Sequence, residues 1–148
     1  MKGTRMKSVL TPFLLAFLAT AAAAETTHID LGKLPSKQVH DVAQLTPLVI
    51  DADGAPAVVL LDLDKGVEVP PHATKSGVRL LTVLQGDMSW GDGTIADPEK
   101  ERIYPQGSVL TIPAGENHWL AARSGPVRIQ LIVLDDETPV PGIQEQMK

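Results

Sequence analysis

An all-β sandwich or barrel is the fold this sequence predicts, on three observations. Short apolar runs follow one another from Leu48 to Leu134, each about the length of a strand. Glycine and proline close nearly every run, in the manner of all-β turns. Beyond residue 24 no stretch sustains the three-to-four-residue apolar period of an amphipathic helix.

The chain begins with a segment of a different kind. Lys2, Arg5 and Lys7 precede an apolar run from Val9 to Ala19, and Ala22-Ala23-Ala24 stands before Glu25. A basic start, a short apolar centre and a small-residue site predict a secretory signal peptide over 1–24, and a periplasmic or secreted product. The run is too short for a membrane span. Of the 148 residues, 124 remain after it, enough for one domain with one core. Removing Lys2, Arg5 and Lys7 from the 13 basic residues leaves 10 against 18 acidic ones, a net of −8. Such acidity argues against nucleic acid and against anionic membranes as partners. The absence of cysteine excludes disulfides, thiol catalysis and thiolate metal sites.

Residues 25–56 read as an N-terminal arm with short strands. His28 and His40 lie in it and are expected to be exposed or edge residues. Asp51-Ala-Asp53-Gly54 resembles the start of a calcium loop, but Pro56 stands where that loop needs glycine. The stretch is therefore a hairpin turn between Leu48–Ile50 and Ala57–Leu63. Ala57–Leu61 is apolar without a break, as in a strand buried on both faces. Strands are expected at Val67–Val69, Val78–Leu84, Met88–Trp90, Ser108–Ile112, His118–Ala122 and Val127–Leu134. Residues 94–102, with four charged residues in a row at Glu99–Arg102, form a solvated loop. The barrel thus runs over 57–134 and a loose tail over 135–148. Val78–Leu84 is apolar on nearly every position, more than one small barrel requires, and this predicts a homodimer.

Two histidines organise the centre. The first half reads Gly66-Val-Glu-Val-Pro-Pro-His72-Ala-Thr74, continues through Arg79 and ends at Gly86. The second reads Gly107-Ser-Val-Leu-Thr-Ile-Pro113-Ala-Gly115-Glu-Asn-His118. This spacing resembles the two motifs of the cupin superfamily over roughly residues 57–134. Gly66, His72 and Gly86 fit the first motif, but Thr74 stands at its second histidine and Arg79 at its glutamate. Gly107, Pro113, Gly115 and His118 fit the second, and Ala122 stands at its final asparagine. The resemblance implies a jelly-roll β-barrel, a double-stranded β-helix of six to eight strands, with both histidines in one pocket.

That pocket's predicted lining is His72, Thr74, Arg79 and His118. A full cupin site offers three imidazoles and a carboxylate to Fe, Mn, Zn, Ni or Cu. Here His72 and His118 are the remaining candidate metal ligands, with Glu68, Glu116 or Gln130 as substitutes. An inward guanidinium cannot ligate, and at an effective dielectric of about 20 it still repels a nearby divalent cation. Arg79 therefore favours a small-molecule binding protein whose ligand is a small carboxylate or other anion. The alternative is a metal-dependent cupin enzyme of dioxygenase or isomerase type using His72 and His118. Trp90 and Trp119 are expected in the strand core, with the pocket wall as their other role.

The leader carries its own test. N-terminal sequencing of the protein recovered from an exporting host should begin at or next to Glu25; a full-length cytoplasmic product would contradict the export reading.

Overall fold

A nested pairing rule sorts the strands. The structure, a computed structural model, describes residues 25–134; the expected signal segment and the expected tail lie outside the described residues. The strands are β1 (Lys37–Val39), β2 (Ala43–Ile50), β3 (Pro56–Leu63), β4 (Glu68–His72), β5 (Val78–Gln85), β6 (Met88–Asp92), β7 (Arg102–Tyr104), β8 (Val109–Ile112), β9 (His118–Ala121) and β10 (Val127–Leu134). β3 pairs with β10, β4 with β9, β5 with β8 and β6 with β7, all antiparallel. Folded over on itself, this long hairpin gains the pairs β10–β5 and β6–β9. The result is a six-stranded sheet, β1-β2-β3-β10-β5-β8, and a four-stranded sheet, β4-β9-β6-β7. Strands β3–β10 form an eight-stranded jelly roll, as expected.

The arm is built into the larger sheet rather than lying beside it. β2 runs along β3 from Gln44 opposite Asp62 to Ile50 opposite Pro56, and Ala43 is fully buried in the core. The turn between them is closed by its own acid. Asp51 Oδ1 accepts from the amides of Asp53 (2.9 Å) and Ala55 (2.8 Å), so this carboxylate serves the hairpin.

Alternate residues of each strand point between the sheets. Leu61 and Leu63 of β3, Leu81 and Val83 of β5, Leu120 of β9 and Ile129 of β10 meet there with Val69 and Met88. Without disulfides, these contacts hold the fold; full burial of a leucine or isoleucine contributes about 1.5–3 kcal/mol. Gly86 follows β5 with φ 78°, and a Cβ there would strike the Pro126 carbonyl, so only glycine makes this turn.

The four-stranded sheet is also covered outside. Trp119 points away from the core, opposite Gly91 of β6, and its indole lies flat across the space a side chain would need. Glu101 accepts from the indole Nε1 at 3.2 Å and from Arg123, which also donates to Glu68 at 2.6 Å. Trp119 is thereby 1% exposed although it is not part of the central core. Gly91→Ala should force the indole off the sheet and cost about 1–3 kcal/mol. Urea unfolding would register this as a lowered midpoint, and an unchanged midpoint would contradict the packing.

Candidate functional site

The two motif histidines meet through a local irregularity in β4. Val69 lies opposite Leu120 and points into the core, so regular alternation would put residue 71 opposite His118. Instead His72 pairs with His118, and one extra residue is accommodated at Pro70-Pro71. β4 is the edge of its sheet, where prolines cost no ladder bond. The bulge turns His72 to the same side as His118. A second link joins the motifs: the Gly115 amide donates to the Thr74 carbonyl at 2.9 Å.

Both rings are held in one tautomer. His72 Nδ1 lies 2.9 Å from the Pro70 carbonyl, and His118 Nδ1 lies 3.0 Å from that of Glu116. A carbonyl only accepts, so each Nδ1 carries the proton and each neutral ring keeps a bare Nε2. Burial is the main cause that lowers the pKa of His118; His72 and His40 add to it, while the Glu116 carbonyl and Asp92 oppose it.

His40 completes this group, and the sequence did not place it there. It is exposed on one side, as expected of the arm, but its ring centroid lies 4.4 Å from that of His72. His72 lies 4.5 Å from His118, which stacks on Trp90 at 4.6 Å and 11°. Four rings thus form a continuous column. Trp90 is fixed in it by donation to Asp92 Oδ1 at 2.9 Å. His40 and Asp41 make the β1–β2 turn with φ 51° and 61°, a left-handed conformation costing about 1–2 kcal/mol per non-glycine residue. The signal in the sequence was slight: histidine and aspartate are among the few residues that tolerate this region. Burial and then the neighbouring His72 lower the pKa of His40, against the pull of Asp41.

The column lines the mouth of a cavity of about 160 Å³ inside the barrel. Leu45, Leu61, Val69, Leu81, Leu120 and Ile129 are among its walls, and Thr74 and Arg79 also line it. Arg79 keeps the inward parity of β5, yet its Nη1 donates to the Ser76 carbonyl at 3.1 Å, which draws the guanidinium to the rim. Thr74 Oγ1 is buried with no hydrogen-bond partner among the described residues. All four residues singled out from the motifs therefore line one cavity, and Trp90 joins them while Trp119 does not.

Among the described residues no group of three or more histidines, aspartates and glutamates is arranged to hold a metal ion. Of the substitute ligands, Glu68 is engaged by Arg123 across the outer face. Gln130 alternates with the cavity residues Ile129 and Leu131 and so faces outward. Glu116 lines a separate groove on the far side of His118.

No family model matches the chain, and no curated protein matches it in sequence. Solved structures do resemble it. The cupin domain of Drosophila melanogaster CENP-C aligns with a TM-score of 0.56 and 13% identity, over 74% of this chain and 85% of that one. The fold is that of the cupins. A predicted oxalate decarboxylase from Thermotoga maritima aligns with a TM-score of 0.58 and 14% identity, over 73% of this chain and 99% of that one. The polyketide cyclase RemF from Streptomyces resistomycificus gives 0.58 and 16%, over 78% and 83%. These cupin-fold proteins differ in what their names say they do, so function must be argued from the cavity.

The lowered pKa values of His40 and His118 fix the sign of a pH effect. Near pH 6 the folded chain binds fewer protons than the unfolded one, whose histidines titrate near 6.5. Stability is therefore fully present above about pH 6.5 and falls as pH drops through that value towards the depressed folded pKa. Urea midpoints should decline between about pH 7 and 5.5, before most carboxylates titrate, and the decline should be shallower in His118→Gln. A flat wild-type profile over that range would contradict the shifts.

Proposed function

We propose that this cupin-fold chain, exported as its leader implies, binds a small organic molecule with an apolar body and one carboxylate or similar anionic head. Thr74 is the observation that carries the reading. Its hydroxyl is buried and unpaired among the described residues, a situation that costs about 1–3 kcal/mol and that a ligand's polar atom in the cavity would relieve. The apolar walls suit the ligand's body. An apolar cavity of roughly 150 Å³ holds benzene in another protein, so about 160 Å³ sets the scale of a single ring or a short branched chain. The head sits at the mouth, where Arg79 lends positive charge at the rim, and the Nε2 atoms of His72 and His118 donate to it only once they take up a proton.

Benzoate is a fitting probe. Calorimetry should detect its binding, and it should raise the melting temperature of the wild type, since a ligand that binds only the folded state stabilises it. Thr74→Val removes the orphaned hydroxyl. That variant should be more stable than wild type when empty, by about 1 kcal/mol, and should bind benzoate roughly tenfold more weakly. A wild type indifferent to benzoate at millimolar concentration, or one that carries near-stoichiometric metal when purified without added metal, would overturn the reading.

A further inference from the structure

We infer that the β1–β2 turn is the outer wall of the cavity and that His40 is its third ligand-contacting imidazole. The inference rests on the cavity reading above and adds a residue that neither motif supplies. The turn is held in an unfavourable conformation by backbone and neighbouring groups. The Val42 amide donates to the Val39 carbonyl at 3.2 Å, and Gln38 Nε2 donates to that of Asp41 at 2.6 Å. Two consecutive non-glycine residues at positive φ are the kind of local strain that clusters at ligand clamps. The strain secures no hydrogen bond for the His40 ring, whose nitrogens bond to nothing among the described residues. It secures a position instead: the ring lies on His72 at 4.4 Å and lines the cavity beside Val39 and Leu45.

The chemistry follows from the column of rings. His40 is tilted on His72, His72 meets His118 edge to face, and His118 stacks on Trp90, so a head group at the mouth meets ring edges and nitrogens rather than open faces. A carboxylate is flat and accepts hydrogen bonds, and an unbonded His40 nitrogen bearing a proton can donate to it. Asp41 beside the ring discourages a dianion, which favours a monocarboxylate over a phosphate. On this view the turn sets specificity for the shape of the head, while the barrel wall sets it for the body.

Two variants and two readouts test this. His40→Asn removes the ring but keeps a residue that tolerates positive φ, and His40→Gly removes the side chain and the backbone strain together. The first readout is benzoate affinity by calorimetry. The second needs no ligand: the rate at which diethyl pyrocarbonate modifies His72, followed by mass spectrometry, with the arm residue His28 as internal reference. In His40→Asn, benzoate should bind about fivefold more weakly or worse, the loss of roughly one hydrogen bond. The His72 rate should rise severalfold in both variants while that of His28 stays constant. An unchanged His72 rate in both variants overturns the wall. Unchanged benzoate affinity in His40→Asn, with a wild type that binds, overturns the contact. If wild type does not bind benzoate, the cavity reading falls by itself, and the wall stands or falls on the His72 rate.

Discussion

One additional residue in an edge strand decides which way His72 points. The side-chain period of a strand is two, so inserting one residue exchanges its faces beyond that point. At Pro70-Pro71 this exchange happens within a single turn of pleat, and His72 emerges directly across from His118. The prolines suit the place because neither can donate to a ladder and β4 has a neighbour on one side only. The meeting of the two motif histidines at the cavity mouth follows from that reversal. The bond from Gly115 to Thr74 then holds the segments after β4 and before β9 together, so the two histidines keep a fixed separation.

A cavity inside a small barrel forgoes packing, and the fold makes up the loss elsewhere. The side of the four-stranded sheet away from the cavity carries Trp119 laid over Gly91, with Glu101 and Arg123 closing over it. Donation from Arg123 holds the Glu101 carboxyl below its ordinary pKa, despite burial that works the other way. Because this cluster is on the far face, the cavity lining and the outer packing have no side chain in common. One sheet thereby separates the group that binds from the group that stabilises.

The strand pattern and both motif turns were legible in the sequence because they are local. Glycine at Gly86 and the Pro-Pro approach to His72 state their geometry within a few residues. Strand parity was enough to turn Arg79 inward, and motif spacing was enough to bring His72, Thr74 and His118 to one place. Two things were not legible. The destination of the Arg79 guanidinium depended on a carbonyl, that of Ser76, lying at the rim. The role of His40 depended on β2 reaching back to Ala43 and on β1 pairing with it, which no local pattern in residues 25–47 announces, although the hairpin from β2 into β3 was read from its turn. The arm looked peripheral because its apolar residues are few, yet its turn comes to rest on the cavity.

The nested pairing has a consequence for how the chain is made. Strand β5 lies between β8 and β10, both of which follow it in sequence. The first strand of the jelly roll likewise waits for the last. No barrel can close until residues near 134 are present, so synthesis leaves β3, β4 and β5 without their final neighbours for most of its duration. Closure of such distant pairs is slow and leaves apolar strands open to wrong contacts meanwhile. The same delay keeps the chain threadable: a polypeptide that cannot lock early can still pass lengthwise through a narrow opening, which is what the proposed export would require of it.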